Sequence, residues 1–141
     1  VNINSAALAL AGAAWFHGTR KRQDRIMDVT IYHNPRCSKS REALALLQQK
    51  GIEPEVIEYL KTPPSAAELD DILKKLGKEP RETMRRQEPP YKELSLDNPA
   101  LTRAQLIAAM VENPVLIERP IVLAGGKARI GRPPESVLEI L

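Results

Sequence analysis

The chain contains one cysteine, Cys37. A single thiol excludes an intrachain disulfide and fits a reducing compartment such as the cytosol. Only two histidines accompany it, so a zinc site would lack the cysteine and histidine ligands it needs. No apolar run approaches the length of a membrane span. Glycine is scarce, with seven residues against twelve prolines, which predicts fixed turns more than flexible linkers. Repeats and low-complexity tracts are also missing.

Basic excess is missing too, once it is located. Four of the 21 basic residues and one of the 18 acidic ones precede Met27, leaving seventeen of each beyond it. The formal net charge of +3 therefore belongs to the first segment. The rest offers no broad positive field for nucleic acid, and any anion site must be a local cluster.

What is present is an ordinary globular composition, 43% hydrophobic and 28% charged over 141 residues. That length suits one domain with a single sizeable core. Residues 1–26 differ: "SAALALAGAAWF" precedes "RKRQDR", the reverse of the charge order in a secretory signal. They are expected to form an N-terminal extension, disordered or non-native, with the fold beginning at Met27 and occupying residues 27–141.

"DVTIYHN" predicts a short buried strand. A helix follows, with Ala43, Leu44 and Leu47 on one face and Gly51 as its stop. "PEVIEYL" predicts a second strand. Ser65 and Glu68 form a capping box ahead of a stripe of Leu69, Ile72, Leu73 and Leu76 that ends at Gly77. "PRETMRR" predicts a shorter helical piece, and "QEPPY" a proline-rich loop. Thr102 and Gln105 cap another helix, which stops at Asn113-Pro114. "PIVLAGGKARI" predicts a hairpin turning at Gly125-Gly126, and "PPESVLEIL" a closing helix with proline in its first turn. The order β-α-β, then a helical stretch, then β-β-α, is the layout of an α/β thioredoxin-like fold: a mixed four-stranded sheet with a helical insertion.

Cys37 falls where the first strand gives way to the first helix. The unpaired N–H groups and macrodipole of a helix start favour a thiolate there, and its pKa can fall well below the ~8.5 of a free cysteine. Arg36, Lys39 and Arg41 are further sources of attraction. His33 either faces solvent at the strand end or turns inward to lend the sulfur a hydrogen bond or charge. Ser38 and Ser40 are placed to bond the sulfur or cap the helix. A buried, inert cysteine is the bland alternative, but Cys37 stands among polar and charged residues, away from any apolar stripe. "CSKS" lacks the resolving thiol of a dithiol oxidoreductase. Six residues on stands Ala43, so the C-x5-R loop of cysteine phosphatases is absent. What remains is a monothiol nucleophile whose second electron donor comes from another molecule.

"YHNPRCSKSR" resembles the HNPxCxxSR signature of the glutaredoxin-dependent arsenate reductase family. The similarity continues through "YLKTPPS", "RRQEPPY", "ERPIV" and "RIGRPPE", covering Met27 to Leu141. The resemblance implies the thioredoxin-like fold and reduction of arsenate to arsenite, with glutathione as co-substrate and glutaredoxin as partner. It implies Cys37 as nucleophile, His33 as the residue lowering its pKa, and Arg85, Arg119 and Arg132 as ligands of the oxyanion. Spacing from Cys37 favours Arg85 over Arg86. Phosphate is expected to compete for the same arginines. The Arg119-Pro120 bond opens the third strand, where thioredoxin-like folds place a cis proline. A cytoplasmic monomer is expected, with no bound cofactor or metal and no membrane or nucleic-acid partner. Two rivals share the fold: a glutathione-dependent reductase of mixed disulfides, and an Spx-type regulator that binds RNA polymerase. The second usually uses a cysteine pair, which CxxS lacks.

Overall fold

In the computed structural model of the protein, residues 28–141 are described. The extension expected over residues 1–26 lies outside them. Strand β1 (Thr30–His33) leads through helix α1 (Ser38–Gln49) to β2 (Glu55–Glu58), which lies parallel to β1. Strands β3 (Ile121–Ala124) and β4 (Lys127–Ile130) form the hairpin, with β3 antiparallel to β1. The sheet order is β2-β1-β3-β4. The mixed sheet built from β-α-β and then a hairpin is thus the thioredoxin-like arrangement. Gly125 and Gly126 both take positive φ, 56° and 80°, the backbone a tight hairpin turn demands and glycine supplies without steric cost.

Alternation along the strands divides the core between the two faces of the sheet. Ile31 and Val122 point to one face, where they meet Ala43 and Leu47 of α1 together with Val137 and Ile140. Tyr32 and Ile121 point to the other, against the inserted segment. That segment carries α2 (Ala66–Leu76), a 3-10 turn (Pro80–Thr83), α3 (Pro89–Glu93) and α4 (Arg103–Glu112). Both expected capping boxes form reciprocally, Ser65 with Glu68 and Thr102 with Gln105. Their helices bury Leu69, Ile72 and Leu73 on one and Leu106, Ile107 and Met110 on the other.

Two elements depart from the sequence expectation. The proline-rich stretch is the start of α3, not a loop: Pro89 occupies the first helical turn, whose N–H groups have no partner in any case. The closing helix is 3-10 over Pro134–Ile140. Pro134, Val137 and Ile140 are its buried residues, and at three residues per turn a spacing of three stacks them in one row.

The insertion is tied to the sheet where it matters for the site. Met84 bridges antiparallel to Ile117. On either side, the Arg85 N–H donates to the Leu116 carbonyl (2.7 Å) and the Glu118 N–H to the Thr83 carbonyl (2.8 Å). This staple draws the Arg85 segment alongside the Glu118-Arg119 segment that feeds β3.

Candidate active site

Cys37 is the N-cap of α1, with extended backbone (φ −94°, ψ 124°) and no acidic residue in the helix's first turn. The turn leading into it is braced from several sides. The Cys37 N–H donates to the Asn34 carbonyl (3.0 Å), the Arg36 N–H to Asn34 Oδ1 (3.0 Å), and Arg41 Nη1 to the Pro35 carbonyl (2.8 Å). Ser40, fully buried, accepts the Asn34 N–H at Oγ (3.0 Å) and lies 2.7 Å from His33 Nδ1. A hydroxyl that accepts from Asn34 still has its proton to give. A neutral imidazole protonated at Nε2 and accepting at Nδ1 completes that chain.

The arginines arrive from the opposite side. Arg85, Arg119 and Arg132 line one open cleft of about 380 Å³, together with Met84, Arg86, Gln87 and Glu118. Arg132 Nη2 stands 3.8 Å from Cys37 Sγ, joining the cleft to the thiol. Its Nε donates to the Arg119 carbonyl (2.9 Å) and lies 3.1 Å from Glu118 Oε1. Arg119 Nη1 lies 3.3 Å from the same oxygen, and its buried Nε has no hydrogen-bond partner. Arg85 pairs instead with Glu88, 3.1 Å away. Gly131, just before Arg132, packs hard on Pro120: a Cβ there would stand 2.8 Å from the proline ring. The bonds Arg119-Pro120 and Arg132-Pro133 are both cis.

Burial alone would push the Cys37 thiol up. The backbone N–H of Ser40 and the Arg119 guanidinium, followed by the Lys39 N–H and Arg132, outweigh it and hold the thiol below its ordinary value. This is the helix-start effect with two cations added. Burial also governs His33, keeping its imidazole below the ordinary histidine range, with Glu58 opposing and Arg41 assisting. A buried neutral imidazole supplies no positive charge to the sulfur. Arg41 likewise braces the turn through Pro35, so the cations acting on the thiol are Arg119 and Arg132.

The arrangement can hold a tetrahedral anion between guanidinium forks while a thiolate faces it. Among the described residues, no three His, Cys, Asp or Glu side chains gather as metal ligands would. Nor is any described helix long and apolar enough to cross a membrane.

The model of the ArsC family matches residues 32–140. The chain belongs to the ArsC family. This ArsC-family protein is 63% identical over 114 residues to an uncharacterised protein of Escherichia coli K12, spanning 80% of this chain and 96% of the relative. It is 57% identical over 116 residues to an arsenate reductase of Haemophilus influenzae, spanning 82% of this chain and 100% of that one. The solved structure of an arsenate reductase from Vibrio cholerae matches with a TM-score of 0.79 at 59% identity, over 82% of this chain and 98% of that one.

Of the five residues singled out in the sequence, Cys37 and Arg132 approach each other directly, and Arg85 and Arg119 share the cleft with Arg132. His33 sits behind the turn, bonded to Ser40. Arg86 lines the cleft as well, so spacing from Cys37 chose between two neighbours that both reach it. Glu118 and Tyr59 went unremarked. Glu118 stands beside Arg119 in "ERPIV", and a carboxylate adjoining an arginine is the one local signal for it. Tyr59 is 1% exposed. Burial raises its hydroxyl's pKa against the pull of Arg119 and Arg85, and nothing near Tyr59 in the sequence announces that proximity.

Proposed function

We propose that this protein reduces arsenate to arsenite at Cys37, taking electrons from glutathione and glutaredoxin. It would act as a cytoplasmic monomer with no bound cofactor. The observation that carries the reading is the 3.8 Å approach of Arg132 to Cys37 Sγ at the edge of an arginine-lined cleft. The arsenate reductases among its relatives support the choice of substrate.

In this mechanism Arg119, Arg132 and Arg85 hold the oxygens of arsenate, and the Cys37 thiolate attacks arsenic. An arsenate hydroxyl takes up a proton from solvent and leaves as water as the S–As bond forms, giving a thiol–arsenate adduct in which arsenic is still pentavalent. Reduction needs two electrons, and Cys37 has no neighbouring thiol to supply them. Glutathione attacks the adduct, and glutaredoxin resolves it. The two external thiols are oxidised to the disulfide level, arsenite leaves, and Cys37 returns as thiol. Phosphate shares arsenate's shape and charge, so it binds the arginines without being reduced. His33 contributes through Ser40, fixing the turn that carries the sulfur.

The test is arsenate-dependent NADPH oxidation coupled through glutathione, glutaredoxin and glutathione reductase, run beside an assay with a glutathione mixed disulfide. Arsenate turnover should fall to background in Cys37→Ser. Surviving arsenate activity in that variant contradicts the mechanism. Turnover of the mixed disulfide alone, with none of arsenate, points to the thiol-reductase alternative.

A further inference from the structure

Among the described residues, Glu118 is the one acidic side chain lining the arginine cleft, and a single oxygen of it accepts from two Arg119 donors and pairs with Arg132. Oε1 lies 3.2 Å from the Arg119 N–H, 3.3 Å from Arg119 Nη1 and 3.1 Å from Arg132 Nε. The carboxylate is itself well anchored. Its backbone N–H is bonded to the Thr83 carbonyl, and the preceding residue bridges to Met84. Its side chain is only 26% exposed. Arg132 thus donates its Nε–H to the Arg119 carbonyl and pairs ionically with Glu118, which leaves the Nη2 end to face Cys37 Sγ. Arg85, held by Glu88, makes no contact with this oxygen.

From this geometry we infer that Glu118 is a positioning residue: it aims Arg119 and Arg132 at the reacting sulfur, and its fixed negative charge sets the anion affinity of the cleft. The inference rests on the reading of Cys37 as the reacting thiol and of these arginines as ligands of the anion. A carboxylate placed among guanidiniums holds them in register, because each planar fork meets a shared oxygen only from a fixed direction. The same charge repels an entering oxyanion, so orientation is gained at some loss of anion affinity. The groups acting on the thiol are Arg119, Arg132 and the N–H donors of Lys39 and Ser40, with Tyr59 buried nearby. Of these, the arginines answer to Glu118.

Cys37 is the only cysteine in the chain, so alkylation by iodoacetamide, followed by intact mass, reports on this site alone. The rate is measured against pH, and at one pH against inorganic phosphate, for the full chain and for Glu118→Gln and Glu118→Ala. The glutamine oxygen can still accept from the Arg119 N–H and Nη1 as Glu118 does, but the charge is gone. Glu118→Gln should keep the pH profile near that of the unmodified protein and reach half-protection at a severalfold lower phosphate concentration. Glu118→Ala removes the acceptor and should shift the profile toward that of a free thiol. A glutamine variant that needs as much phosphate as the unmodified protein overturns the assigned role of the charge. Glutamine and alanine variants with the same pH profile overturn the aiming role. Should the alanine variant fail to fold, the phosphate response of Glu118→Gln still decides. Neither readout uses turnover, so failure here stands apart from failure to reduce arsenate.

Discussion

The turn that carries the thiol and the wall of arginines opposite it are built in contrary ways. The side-chain hydrogen bonds made within the stretch from His33 to Arg41 span at most seven residues. The wall is assembled from three separate segments, and the contact that completes it, Arg132 to Cys37, spans 95 residues. The N–H groups of Lys39 and Ser40 act on the sulfur wherever this strand-to-helix junction forms, and Arg119 and Arg132 add to them only in the assembled fold. The three arginines come together only when the insertion, β3 and the turn after β4 have docked together. Activation is thus shared between a short segment and the assembled fold, whereas the arginine cleft is a property of the whole fold alone.

The sharpest way to break that contrast is to remove one arginine at a time. Arg132→Ala or Arg119→Ala should lower kcat/KM for arsenate on the order of 10²–10³-fold, the usual cost of losing one preorganised stabiliser of developing charge. Arg85→Ala should cost less, because Arg85 has no contact with the sulfur and already pairs with Glu88. Steady-state kinetics on the three variants check the ranking, and a larger loss from Arg85→Ala than from Arg132→Ala reverses it.

A smaller effect concerns the turn. Burial holds folded His33 below its ordinary range, whereas an unfolded histidine titrates near ~6.5. As pH falls through that value the unfolded chain takes up a proton that the folded one resists, so acid favours unfolding. The contribution of His33 is complete above the unfolded value and is lost as pH falls from there toward the folded one. Thermal unfolding between pH 7.5 and 5 should show this decline, and His33→Gln should flatten it. An unchanged slope in the variant means that another group carries the acid sensitivity.

The same contrast explains what could be read from the sequence. The strand, the helix start at Cys37 and both capping boxes depend on neighbours a few residues away, and all of them appear as expected. Neither Ser38 nor Ser40 caps that helix, because Cys37 itself is the N-cap and no side chain caps it. The start of α3 at Pro89 did not, because a proline pair suits a loop and a first helical turn equally well. The 3-10 geometry of the closing segment depends on Val137 and Ile140 packing under the sheet, which only the assembled core decides. Arg85, Arg119 and Arg132 came from resemblance, since no spacing in the chain says that they share a cleft. Glu118 needed the fold itself: its partner Arg132 is distant in sequence, and its anchor on Thr83 comes from the insertion. The inward-turned, charged His33 entertained from sequence gives way to a neutral ring on Ser40, because burial disfavours the cation.

The central claim is that the Cys37 thiolate faces an oxyanion held by distant arginines. Its most direct test is the rate of Cys37 alkylation in the unmodified protein at neutral pH, with and without arsenate and with no glutathione present. Saturable protection by arsenate, lost in Arg132→Ala, is the predicted result. Alkylation that proceeds at the same rate whether or not arsenate is present would contradict it.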